Sequence, residues 1–208
     1  MAFMEGASLR MKLRKLFGEN MSAYLPDNIR DVSDLREVPD NQEVFAHPQT
    51  DQSLIIEIME EVTEADEQAL KTHFEDVASS NDAVGVDKAQ IDSMEAILKD
   101  QLQMTQSSSA WYLCGQQKVS KFKEFARNCV TIHMGLFRLP QYQTDILVTF
   151  NDPTDINADS SSHQAVPTGV QPWTVEQFRQ TLTTLTLLDE GLLAGHQEEE
   201  EEEDDEMS

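Results

Sequence analysis

Residues 31–62 read DVSDLREVPDNQEVFAHPQTDQSLIIEIMEEV, and the assignment of this stretch decides the architecture. Its first third is rich in Asp, Pro and Asn and reads as an ordered loop over Asp31 to Asn41. Glu43 to Ala46 reads as a strand that His47 and Pro48 end. Thr50 or Asp51 then supplies a helix cap. Leu54, Ile55, Ile58, Met59 and Val62 fall at helical spacing, so the spacing predicts an amphipathic helix after Asp51. On that helix Glu57 and Glu60, three apart, would be neighbours on the face opposite the apolar stripe. Two readings of the pair stand side by side. Acids opposite an apolar stripe are ordinarily a solvated face, and pattern alone favours this. A carboxylate pair also serves as bait for a basic partner.

Working outward, Leu16 to Pro26 predicts a short strand and a turn. Glu64 to Ala78 predicts a second helix, with Ala65, Ala69, Leu70, Phe74 and Val77 on its buried side. Between Val84 and Gln106 the signals conflict: Val84 and Val86 suit a strand, whereas Ile91, Met94, Ile97 and Leu98 have helical spacing. Trp111 to Val119 predicts a hairpin turning at Gly115 to Gln117. Val130, Ile132, Met134 and Leu136 alternate with Thr131, His133 and Gly135, a strong strand signal. Asp145 to Phe150 is another, and the short connection Arg138 to Gln143 makes the two antiparallel neighbours. His133 is expected to face solvent or a polar neighbour. Asn151 to Gln171 reads as a flexible loop. Thr174 and Gln177 form a capping box, with Trp173 and Phe178 placed as a hydrophobic staple and Phe178, Leu182 and Leu185 along one face. This order predicts an α+β domain, one mainly antiparallel sheet covered by helices.

Charge narrows the partners. The 208 residues carry a net charge of −24, and nine of those charges lie in the uninterrupted acidic run Glu198 to Glu206. The other 15 make the rest acidic in its own right, which disfavours nucleic acid and anionic membranes and favours a basic protein. The expected organisation is a basic extension over 1–15, one domain over 16–193 and a disordered acidic tail over 194–208. The tail has no apolar surface to offset ordering entropy, so folding does not need it. Cys114 and Cys129 form no disulfide framework and read as reduced thiols. No apolar run approaches a membrane span. There is no phosphate-binding loop, no dinucleotide fingerprint and no nucleophile elbow. The five histidines lack metal-ligand spacing. Neither a cofactor nor a catalytic group is expected.

Four segments carry a resemblance: DVSDLREVPDNQEVF (31–45), TDQSLIIEIMEEV (50–62), HFEDV (73–77) and LFRLPQYQTDILVTFN (136–151). Together they resemble the Ran guanine nucleotide release factor family, over roughly Leu16 to Leu193. The resemblance implies an α/β/α sandwich around an antiparallel sheet, shared with a photosystem II extrinsic protein family. It implies a monomeric, non-enzymatic protein of nucleus and cytoplasm that binds the small GTPase Ran and promotes release of its guanine nucleotide. It also implies that Glu57 and Glu60 contact Ran. Asp34, Arg36, Glu37 and Asp40 are expected as supporting surface, although turn chemistry explains those loop residues equally well. Family members usually carry two glycines after the first Leu-Phe, whereas here Glu19 and Asn20 follow Gly18. Two other classes remain open: an acidic chaperone for basic proteins, driven by the tail, and a sheet-based small-molecule binder or enzyme.

Overall fold

The computed structural model describes residues 10–85, 88–119, 128–155 and 169–194. In chain order the strands are β1 (Met11–Leu16), β2 (Met21–Pro26), β3 (Arg30–Asp31), β4 (Gln42–Ala46) and β5 (Ser53–Glu60). Helix α1 (Asp66–Ser80) precedes β6 (Ala89–Ile97), β7 (Ser109–Val119), β8 (Asn128–Leu139) and β9 (Thr144–Asp155). Helix α2 (Val175–Thr184), β10 (Thr186–Leu187) and the short α3 (Gly191–Ala194) complete the order. A seven-stranded antiparallel sheet runs β3-β4-β5-β9-β8-β7-β6, and a small sheet runs β1-β2-β10. Helix α1 packs on one face of the large sheet through Leu70 and Phe74 against Leu113, Ile132, Met134 and Leu136. Helix α2 and the small sheet cover the other face, where Phe178, Leu182, Met21, Ala23 and Leu25 meet Ile56, Phe137, Val148 and Phe150. The expected three-layer α+β architecture holds, with a small sheet sharing one outer layer.

Contrary to the spacing, the chain is not helical after Asp51. β5 pairs with β4 and with β9, from Ser53 opposite Asn151 to Glu60 opposite Thr144. Leu54, Ile56 and Ile58 are buried on one face, while Ser53, Ile55, Glu57 and Met59 lie half-exposed on the other. Glu57 and Glu60 are an odd number apart, so a strand sends them to opposite faces. Residues 47–52 are a hairpin loop, not a helix cap. The His47 amide donates to the Gln52 carbonyl at 2.9 Å, and the amides of Gln49 and Thr50 donate to His47 Nδ1 at 3.1 and 3.0 Å.

Three other assignments change. Ala89–Ile97 is a strand whose register shifts between Ile91 and Ser93. That bulge puts Ile91 and Met94 together on the α1 side, and Ile97 packs on the other core, which imitates helical spacing. Residues 109–119 form one unbroken strand. Gly115 serves packing rather than a turn, because a Cβ there would lie 2.7 Å from the Gln90 carbonyl oxygen and 2.8 Å from the Phe74 ring. The segment expected as a basic extension is, from Met11 onward, the strand β1. His133 is buried inside the α2-side core, with its Nδ1 2.7 Å from the Tyr112 hydroxyl. Residues 1–9 and the tail beyond Ala194 lie outside the described residues, as do Val86 and most of the expected loop after Asn151.

Strand alternation makes a sharp expectation. Ile56 is fully buried, so Ile56→Asp should cost about 4 kcal/mol or more, whereas Ile55→Asp should cost under about 1 kcal/mol. A helix would make Ile55 the damaging position, and chemical denaturation of both variants distinguishes the two. The β1–β2 turn gives a second expectation. Phe17, Gly18 and Glu19 all have positive φ, at 49°, 62° and 76°, a conformation that glycine adopts without the strain a side chain adds at Glu19. Glu19→Gly should therefore stabilise the domain by about 0.5–1 kcal/mol, read as a higher denaturation midpoint.

Candidate functional site

Helix α1 covers β6, β7 and β8 but leaves the same face of β5 and β9 open. The result is a trough of about 410 Å3 between α1 and the β4–β5 hairpin. Ile55, Met59, Val77 and Leu147 give it an apolar lining, and Asp51, Glu57 and Asp76 give it charge. A second depression of about 490 Å3 adjoins it and shares Met59, His73 and Asp76. Asn41, Glu60 and Glu61 stand at that end.

Glu57 lies opposite Gln42 in the β4–β5 register, and Gln42 Nε2 donates to its carboxylate at 2.6 Å. Burial raises the Glu57 pKa above the ordinary glutamate range, while the Gln42 hydrogen bond and the nearby His73 oppose that shift. Glu60 is exposed at the end of β5. Asp40 is exposed on the loop entering β4, next to Asn41. Asn41 ties this loop to β5: its Nδ2 donates to the Ile58 carbonyl at 3.0 Å and its own carbonyl accepts from the Ile58 amide at 2.9 Å. Asp34, Arg36 and Glu37 are exposed farther along the loop, and none of them lines the trough. Asp34 instead borders a separate depression with Arg14, Lys15 and Arg30. The expected residues thus divide between two places.

A buried polar cluster fixes the wall of the trough. Arg138 and Asp145 are cross-strand partners on β8 and β9, with Nε 2.8 Å from Oδ1. His73 Nε2 of α1 lies 2.9 Å from Asp145 Oδ2, and the Val62 amide donates to the same oxygen at 3.1 Å. The Arg138 guanidinium donates to the carbonyls of Val62 and Glu64 and to the carboxylates of Glu61 and Asp66. The sequence carried a sign of this cluster. Arg138 continues the inward alternation of Val130 to Leu136, so a charge was due inside and needed a partner. Asp76, Gln42 and His73 had no such sign, because they reach Glu57 only through register and helix packing. Among the described residues no group of His, Cys, Asp and Glu is arranged to hold a metal ion. No described helix is long and apolar enough to cross a membrane.

Residues 14–153 match the family model described as Ran-interacting Mog1 protein. The chain belongs to this family. The Ran guanine nucleotide release factor of Danio rerio is 49% identical over 180 residues, covering 86% of this chain and 98% of that protein. The Homo sapiens Ran guanine nucleotide release factor is 42% identical over 179 residues, covering 85% and 94%. The 1.9 Å crystal structure of the Saccharomyces cerevisiae Ran-binding protein Mog1p matches with a TM-score of 0.65 at 20% identity. That match covers 89% of this chain and 99% of that one, and it shows the fold.

The environment of Glu57 makes a pH-dependent expectation. A carboxyl with a raised folded-state pKa is penalised when ionised, so the penalty is fully present at neutral pH. It falls as pH drops through the folded value and is gone below the ordinary glutamate range. Glu57→Gln keeps an acceptor for Gln42 and removes the penalty. It should melt higher than the parent at pH 7, with the gain shrinking to nothing on acidification. Thermal melts across that pH range measure it, and a gain that grows on acidification contradicts the assignment.

Proposed function

We propose that this domain binds the small GTPase Ran and promotes release of its guanine nucleotide, in support of nucleocytoplasmic transport. The family match over residues 14–153 carries the reading, and the names of the relatives give the activity. An open trough with an apolar floor and acidic walls suits a basic protein surface.

The action required is binding, not covalent chemistry. A GTPase of this kind holds nucleotide phosphates with a lysine and Mg2+. A partner that prefers the nucleotide-poor form weakens nucleotide binding by the same factor. Acids presented to that lysine, or to the Mg2+ site, produce the preference. We assign the contact to Glu57 inside the trough and Glu60 at the adjoining depression, with Asp40 next to Asn41 on the loop entering β4. Asp34, Arg36 and Glu37 are supporting surface at the periphery. On this reading the protein is monomeric, shuttles between nucleus and cytoplasm, and needs neither a cofactor nor nucleic acid.

Purified protein should accelerate loss of fluorescent nucleotide from loaded Ran without other factors. No binding and no acceleration at micromolar concentration sinks the reading. The double reversal Glu57→Lys/Glu60→Lys should weaken binding while circular dichroism shows the fold intact. Charged contacts buried on binding are worth about 2–5 kcal/mol and rim contacts much less, so Glu57→Lys should do more harm than Glu60→Lys. If a folded double variant binds Ran like the parent, the contact lies elsewhere. Deleting the acidic tail separates this reading from a charge-driven chaperone, which would lose most of its binding.

A further inference from the structure

The cations of this acidic chain are unevenly placed. Of its 15 Lys and Arg residues, five stand on or beside two strands: Arg10, Lys12, Arg14 and Lys15 at β1, and Arg30 at β3. Among the described residues none of the five has an ion pair. Among the described residues β1 is an edge strand, paired with β2 alone. Arg14, Lys15 and Arg30 line a depression of about 530 Å3, and Arg14 Nε is buried there with no hydrogen-bond partner among the described residues. Two of the acids in this depression are already engaged. Asp31 accepts from the Ser33 amide at 2.9 Å, and Glu43 from the Phe17 amide at 2.5 Å.

We propose that this basic ribbon is the docking site for the chain's own acidic run, Glu198 to Glu206. Charge complementarity is the first reason: nine consecutive acids meet five cations that make no ion pair among the described residues, although Asp31, Asp34 and Glu43 share the depression of three of them. Reach is the second. β10 borders β2 on the side away from β1, so it lies two strand spacings, roughly 10 Å, from β1. The chain leaves β10 past the β1–β2 turn, where the amides of Leu188 and Asp189 donate to the Asn20 carbonyl at 2.8 and 3.1 Å. It then enters α3, whose Leu193 is buried in the same core as β1's Leu16. The four residues from Ala194 to Glu198 span up to about 14 Å, and nine acids up to about 30 Å, enough to follow a six-residue strand of roughly 20 Å. Tethering is the third. A linker this short gives an effective concentration of order millimolar, so the run in cis outcompetes acidic segments in trans. The contact is electrostatic and needs no fixed conformation, so it agrees with a tail that folding does not need. The lysines also guard the free edge of β1 against strand pairing, and the docked run covers that edge. The inference stands independently of the Ran reading.

A spin label at Ser208→Cys, in a Cys114→Ser/Cys129→Ser background of the full chain, tests it. At low salt the amide signals of residues 10–16 and of Arg30 should broaden selectively, with relief at about 0.5 M NaCl. A nine-residue Asp/Glu peptide provides a second measurement with native cysteines. The chain ending at His196 retains every described element, and it should bind this peptide at least about tenfold more tightly than the full chain. Lys12→Gln/Lys15→Gln, at two exposed positions, should weaken that binding. Broadening that is absent, uniform or centred on the trough overturns the proposal. So does equal peptide affinity, or none, in the two chain lengths.

Discussion

The ion pair between Arg138 and Asp145 is the constraint on which the site depends. It joins β8 to β9 beneath the point where the chain leaves β5 and enters α1. Asp145 is completely buried and Arg138 nearly so, which makes each intolerable without the other. Replacing such a pair with apolar side chains is commonly neutral for stability, whereas removing one partner is costly. Its particular contribution is therefore placement. Through the carbonyls of Val62 and Glu64, the carboxylates of Glu61 and Asp66, and His73, the pair holds both the linker and the first half of α1. That fixes how far α1 lies from β5, and hence the width of the trough.

The trough exists because α1 stops short. A 15-residue helix covers only part of a seven-stranded sheet, and the α1-side face of β5 is left half-wet. Ile55 and Met59 forgo part of their burial, and Glu57 sits where its charge is poorly solvated. Each is a small loss of stability on an otherwise well-covered sheet, and the losses coincide on one strand face. Features that cost stability and converge in a concave surface are the expected signature of a binding site.

How legible this was depended on how local each signal is. The capping box of α2 was readable because Thr174 and Gln177 satisfy each other within one turn, and the structure has both bonds. The alternation of β8 was readable because both neighbours bury it. The run SLIIEIME satisfied two periods at once: Leu54, Ile55, Ile58 and Met59 fit a helix, and Leu54, Ile56 and Ile58 fit a strand. Eight residues with three isoleucines weigh toward the strand, but its partners β4 and β9 decide it, and β9 lies some 90 residues away. Gly115 misled for a similar reason: its close neighbours, Phe74 and the Gln90 carbonyl, are remote in sequence. The acids of the site were identifiable by type, whereas the face each one occupies follows from pairing that no local window contains.

The two outer layers differ in charge as well as in structure. On the α1 side, Asp51, Glu57 and Asp76 line the trough, and Glu60 and Glu61 border the depression that adjoins it. At the small sheet, β1 and the residue before it carry four of the chain's 15 Lys and Arg residues, and Arg30 on β3 lines the same depression as Arg14 and Lys15. A molecule with a net charge of −24 attracts any basic protein, but a uniform field gives no orientation. The acids around the trough supply one, because they concentrate negative potential beside an apolar floor that a partner can cover. Steering of this kind weakens as salt screens it, whereas contacts made inside the partly buried trough are screened less. The asymmetry therefore acts on the rate and direction of encounter, and the trough on how long the complex lasts.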